Sequence, residues 1–338
     1  MTKRLLFPES EDRLEEFKNT LLSSRETIFN NEFDKIITRE PLRANMQKNV
    51  SRQTEIDPLA GSIMQELYDS IVHIPAKTLF EDLKTQCEKL SEELGDNRFY
   101  IYLSHRDKNC DLKSNMFLAI MSMSRNLRLV NNFVDFICGE TPLHYDEVDP
   151  DVKDIVYIDD VTFSGKQVVT NITAIDDMEL EDTRIHIVIP YMTPMLLSNI
   201  FTHEGLFLYT TDTYPTPVIN VIHKLIAKHP RESVLRIQEI SSYLLRGNMH
   251  RSTLSLLYTD LKIADFVSIF TGFLLEPRYF NSSEKPLHIV SNCELMERAN
   301  EPVGSGNSCP YPIYKQDDWI STMKNLLSDG RDDKRTKN

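Results

Sequence analysis

Ile155-Val-Tyr-Ile-Asp-Asp-Val-Thr-Phe-Ser-Gly-Lys-Gln-Val168 changes character twice within one short stretch. Ile155 to Ile158 is an apolar run of the kind that forms a buried strand. Asp159 and Asp160 end it, and Val161 to Gln167 follows as a turn containing Thr162, Phe163, Ser164, Gly165 and Lys166. Helical spacing then runs from Gln167 to Ile175. The pattern predicts a strand that stops on two acids and a hydroxyl-rich turn that opens a helix N-terminus. Hydroxyls, backbone N–H groups and the helix dipole suit a phosphate. Carboxylates suit sugar hydroxyls or a divalent cation. Two chemistries a few residues apart suit a sugar phosphate held at both ends.

Similar strand signals lie on both sides. Arg98-Phe-Tyr-Ile-Tyr-Leu-Ser104, Arg184-Ile-His-Ile-Val-Ile-Pro190 and Gly205-Leu-Phe-Leu-Tyr-Thr210 are rich in β-branched and aromatic residues. Met116 to Met123 and Met195 to Phe201 read as helices between them. Strands alternating with helices at this spacing predict an α/β core with a mainly parallel sheet flanked by helices, a Rossmann-like three-layer arrangement, over 95–215. Ligands then belong at the C-terminal ends of the strands. Residues 1–94 read as an N-terminal helical extension. Its helices span Glu11 to Leu22, Ile56 to Ile74 and Thr78 to Leu94, the last stopping at Gly95-Asp96-Asn97. Arg39 to Glu55 reads as a loop or weak helix. Residues 216–325 read as a helical and irregular C-terminal part, with helices over Val218 to Lys228 and Arg231 to Leu245. Residues 326–338 read as a frayed tail.

Composition bounds the function. The chain has 338 residues, 38 Lys plus Arg against 51 Asp plus Glu, and a formal charge of −13. That argues against a general nucleic-acid or anionic-membrane binder and leaves room only for a local basic groove. No apolar stretch approaches the ~18 residues of a membrane span. Phe266 to Leu275 is broken by Ser268, Thr271 and Gly272. The five cysteines are odd in number, widely spaced and without C-x-x-C, which reads as reduced thiols in a cytoplasmic protein. The N-terminus has no apolar signal region. The ten glycines are about 3% of the chain, against roughly 7% in an average protein.

The stretch over 155–165 resembles the PRPP-binding motif of the type I phosphoribosyltransferases: four apolar residues, two acids, an apolar residue, then a Thr/Ser–Gly turn. The variant D-D-x-x-x-S-G-K is also similar to phosphoribosyltransferase-like domains of bacterial conflict and defence loci. The resemblance implies that Asp159 and Asp160 hold ribose hydroxyls and assist magnesium indirectly. It implies that Val161 and Thr162 to Gln167 cradle the 5′-phosphate. It places a pyrophosphate loop after the preceding strand, at Ser104, His105 and Arg106, where Arg106 and Lys108 would face the departing pyrophosphate. It further implies a hood over the acceptor, for which Asp260, Lys262, Asp265, Tyr314 and Lys315 are candidates. The expected ligand is PRPP or a nucleotide-like molecule with magnesium, and the expected reaction is pentosyl transfer. The alternative is a non-catalytic sensor or effector in a bacterial defence system. The N-terminal helices are a candidate surface for a protein partner or an oligomer.

Two departures from the family pattern stand out. Phe163 and Lys166 occupy positions where Thr and Gly are common, and no glycine lies between Gly95 and Gly139. Glycine would let the backbone approach a pyrophosphate closely. Other motifs fit poorly. A Walker A loop needs Gly and Ser/Thr where this chain has Asp160 and Gln167. The Y-x-D-D of polymerase palms needs a hairpin, whereas a Ser–Gly turn and a helix follow Asp160. The remaining reading is an acidic strand end before an ordinary helix cap. The histidines form no metal-ligand pairs, and His186, inside a strand, reads as packed.

Overall fold

A computed structural model describes residues 4–5, 12, 14–22, 40–103, 114–138, 149, 151–162, 165–176, 182–192, 205–211, 218–230, 234–235, 237, 256–259, 278–282 and 285–289. In chain order its helices are α1 (14–22), α2 (Glu40–Ile56), α3 (Pro58–Asp69), α4 (Ala76–Leu94), α5 (Ser114–Ser124), α6 (Leu127–Asn132), α7 (Lys166–Asp176) and α8 (Val218–Lys228). Its strands are β1 (Arg4–Leu5), β2 (Val72–Ile74), β3 (Phe99–Leu103), β4 (Phe133–Cys138), β5 (Asp154–Ile158), β6 (Arg184–Val188), β7 (Leu206–Tyr209), β8 (Leu257–Thr259), β9 (Arg278–Ser282) and β10 (Lys285–Ile289). The chain divides into two compact units. One comprises Met1–Ile36, Lys77–Thr213 and Tyr311–Asn338, the other Ile37–Ala76 and Tyr214–Pro310.

The first unit is an α/β fold. Its six-stranded sheet has the order β1-β4-β3-β5-β6-β7, with β1 antiparallel on one edge and the other five strands parallel. Every residue of β3 and β5 is buried, as a strand covered on both faces requires. From β3 the chain first steps outward to β4, then returns to the other side at β5 and continues through β6 to β7. Right-handed crossovers in opposite directions place α5 and α7 on opposite faces, which makes three layers. On the α7 face, Val168, Ile172 and Ile175 pack with Tyr100, Tyr102, Ile155, Tyr157, Ile185 and Ile187. On the other side, α4 meets the turn between α5 and α6 through Glu81–Arg125 at 3.1 Å and Ser91–Asn126 at 3.3 Å.

The four strands expected from the sequence are present as β3, β5, β6 and β7. Phe133-Val-Asp-Phe-Ile-Cys138 was not expected to be a strand. Its central Asp135 is 3% exposed and accepts a 2.6 Å bond from the Phe136 N–H, which lets an acid sit inside a covered strand. Beneath the sheet, Asp154 at the start of β5 bonds Arg184 at 2.6 Å and His186 at 2.7 Å, and His186 reaches the Tyr209 hydroxyl at 3.0 Å. Asp154 and His186 are almost fully buried. Burial alone would raise the Asp154 carboxyl, but the bonds from His186 and Arg184 outweigh it and hold the group below its ordinary value. His186 is thus a packed, bonded histidine.

In the second unit, the helix alternative holds for Arg39 to Glu55: α2 is a helix, and Met46, Val50 and Gln53 fall on one buried face. One expectation is corrected. The stretch 56–74 is not one helix. Asp57 caps α3 by accepting from Leu59 and Ala60 N–H groups at 3.1 Å, with Pro58 in the first turn. The helix stops at Ser70. Val72 to Ile74 pairs in parallel with Leu257 to Thr259, a partner far along the chain.

Candidate functional site

The reversal of strand order falls between β3 and β5, so the crevice above their C-terminal ends is where an open α/β sheet takes ligands. Asp159 and Asp160 lie at this edge, directly after β5. Alternation along the strand puts Tyr157 and Asp159 on one face. The Tyr157 hydroxyl donates to Asp159 Oδ2 at 2.7 Å, and the Asp160 N–H donates to Asp159 Oδ1 at 3.0 Å. Asp160 Oδ1 accepts from the Val161 N–H at 2.8 Å. Asp159 is 3% exposed and Asp160 is fully buried, so a sugar hydroxyl would share these carboxylates with the protein's own donors. Burial first, then the charge of Asp159 and the bond to it, hold the Tyr157 phenol well above its ordinary range. Asn171 on α7 opposes this. Tyr157 therefore keeps its proton and serves as a donor.

The turn after the acids is held on both sides. Val161 bridges Tyr191 in parallel, and the Thr162 N–H donates to the Tyr191 carbonyl at 3.0 Å. This carries the sheet pairing of β5 and β6 past the strand ends. The Thr162 hydroxyl oxygen accepts from the Gly165 N–H at 2.9 Å. Gly165 sits at φ +73°, a conformation that glycine adopts without strain. Its carbonyl accepts from Val169 at 3.0 Å and starts the first turn of α7. The N-terminus of α7 therefore opens at the same edge as the acids. Tyr191 is anchored in turn by its hydroxyl, which donates to Asp82 on α4. Burial, then this bond to Asp82, raises its phenol far above the ordinary value.

The sequence-predicted residues are thus placed as follows. Asp159, Asp160, Val161, Thr162 and Gly165 lie between β5 and α7, and Lys166 and Gln167 open α7. Phe163 and Ser164 lie outside the described residues. So do Ser104, His105, Arg106 and Lys108, which follow β3, and the hood candidates Asp260, Lys262, Asp265, Tyr314 and Lys315. The helix expected over Met195 to Phe201 also lies outside them. Paired carboxylates are hard oxygen donors that fit magnesium. Among the described residues, no group of three His, Cys, Asp or Glu side chains forms a metal cage. A magnesium ion carried by a phosphorylated ligand, with the acids acting indirectly, fits this donor set. Sequence reasoning missed Tyr157, Asn171 and Tyr191. The first had a legible signal, since a strand residue two places before an acid shares its face. The other two are brought in by α7 and by the neighbouring strand.

No helix among the described residues is long and apolar enough to cross a membrane. The family model described as PRTase-CE matches residues 58–230, just over half of the chain. No curated protein and no solved structure matches.

Proposed function

Because the chain belongs to the PRTase-CE family and is phosphoribosyltransferase-like, we propose that it binds PRPP or a related ribose phosphate at the C-terminal edge of its sheet. The observation that carries this reading is the sequence of features on one strand end. Asp159 and Asp160 stop β5 at the switch point, and a turn closed by Thr162 and Gly165 opens α7 immediately after them. In this reading the acids take the ribose hydroxyls and assist magnesium indirectly. Thr162 to Gln167 takes the 5′-phosphate with backbone N–H groups and the helix dipole. Arg106 and Lys108, following β3, face the pyrophosphate. Transfer is a displacement at the anomeric carbon. The bond to pyrophosphate breaks, a nitrogen or oxygen acceptor bonds to that carbon, and the acceptor's proton goes to solvent or to the pyrophosphate. Such a step draws on positioning and electrostatics and needs no side-chain nucleophile.

The test is calorimetric titration with PRPP and magnesium, on wild type and on Asp159→Asn/Asp160→Asn. Binding by wild type that the double variant loses supports the site; wild type that takes up no heat sinks it. Pyrophosphate release with a panel of bases then reads transfer. A second reading, binding without transfer as a sensor or effector in a bacterial defence system, is favoured by the lack of glycine between Gly95 and Gly139. It predicts wild-type titration heat with no pyrophosphate release for any base.

A further inference from the structure

We propose that Tyr157 is a positioning residue that makes the site selective for a ligand with vicinal hydroxyls, an inference that rests on the ribose-phosphate reading above. The first observation is geometric. Asp159 is gripped at both oxygens, by the Tyr157 hydroxyl at 2.7 Å and by the N–H of Asp160 at 3.0 Å. A carboxylate on a single strand residue rotates about its side-chain bonds, and two donors on different oxygens fix its plane. One of these donors belongs to the backbone and is present whatever the side chains are. The other is the side chain of Tyr157.

The second observation is the setting of Tyr157. Its side chain is 1% exposed and packs in the core between the sheet and α7, with Val168 and Ile172 among its neighbours. Asn171, 6% exposed on the same helix, lies beside the hydroxyl and interacts with it. A polar pair kept inside an otherwise apolar helix–sheet contact costs stability, where Phe and Leu would fill the same space. What this arrangement provides is a hydroxyl delivered from below the sheet edge to Asp159. The residue acts through Asp159 and touches no ligand. Hydroxyl recognition discriminates strongly when the recognising acceptor is buried and fixed, because an analogue lacking the hydroxyl leaves it unmatched. A loose carboxylate would adapt and discriminate less.

The experiment compares three ligands by calorimetry at constant pH with magnesium: ribose 5-phosphate, 2,3-dideoxyribose 5-phosphate and inorganic phosphate. The variants are Tyr157→Phe, Asp159→Asn and the double change. Wild type is expected to favour ribose 5-phosphate over the dideoxy sugar. Tyr157→Phe is expected to weaken ribose 5-phosphate about tenfold, the scale of one hydrogen bond to a charged acceptor, and to leave the other two ligands unchanged. The double variant is expected to bind no worse than Asp159→Asn, since both changes break the same contact. Equal losses on all three ligands would assign Tyr157 a merely structural role and overturn the proposal. So would a Tyr157→Phe protein with wild-type discrimination. The cycle also separates the two readings. If wild type binds ribose 5-phosphate and Asp159→Asn does not, the site stands whatever Tyr157 does. If wild type binds none of the ligands, the ribose-phosphate reading fails and takes this one with it. Should Tyr157→Phe not fold, Asn171→Ala perturbs the same hydroxyl from α7, and the same selective loss is expected.

Discussion

Single side chains in this protein do two kinds of electrostatic work at opposite ends of the same strands. At the N-terminal end, Asp154 joins Arg184 to His186 and is nearly inaccessible. Asp154 is the buried acceptor for both Arg184 and His186, and removing its charge weakens both bonds, so Asp154→Asn is expected to cost about 2 kcal/mol in urea unfolding. The pH dependence follows from the depressed carboxyl. Its stabilisation is fully present above the ordinary value of 3.8 and is lost as pH falls through the lower folded value. Unfolding curves of wild type should therefore weaken below about pH 4, and those of Asp154→Asn should weaken less over that window. A variant with the same acid sensitivity as wild type would remove this account. Cys87 is a second residue with a legible state. Burial pushes its thiol up to about 12, so alkylation read by mass spectrometry should spare Cys87 in the native protein and reach it in denaturant.

Among the elements, close approach and turn geometry decide what the sequence tolerates. The α2–α3 pair depends on Gly61: a Cβ there would lie 2.4 Å from the Cα of Thr54. Gly61→Ala is expected to cost about 2 kcal/mol or more in denaturant unfolding, because backbone must move. A neutral result would mean that the helices separate freely. The turn into α7 depends on Gly165 at φ +73°. Gly165→Ala is expected to cost about 1 kcal/mol from the left-handed conformation, and to weaken inorganic phosphate binding along with the proposed ligand. The legibility of elements followed the same physics. β3, β5, β6 and β7 were visible because strands covered on both faces are continuous apolar runs. β4 was not, because Asp135 interrupts the run, and the bond it accepts from the Phe136 N–H helps make that acid tolerable there. β2 was not, because its hydrogen bonds go to Leu257 to Thr259, which no local window contains. α2 was left between a loop and a weak helix, because its sparse apolar residues become a face only once α3 lies against them.

For the whole molecule, the arrangement of the sheet ranks the stability of its parts. β3, β5 and β6 lie inside the sheet, and β3 and β5 are buried along their whole length. Their amides should be the last to exchange with deuterium, after those of β7, whose first three residues are partly exposed. Faster exchange in β3 and β5 than in β7 would contradict the topology. The α/β class, the motif from Ile155 to Gln167 and the order of acid, hydroxyl and glycine within it are all legible in the chain before it folds. These are local properties: apolar runs, turn chemistry and the alternation of a strand are written in neighbouring residues. The strand order that makes the edge of β5 a switch point arises in the folded sheet. Folding also brings Tyr191 alongside Thr162, Asn171 beneath Tyr157, and His186 between Asp154 and Tyr209. Those contacts join residues on separate elements. Their energy comes from burial and from hydrogen bonds between groups that meet only when the sheet has formed, so no single stretch of chain records them.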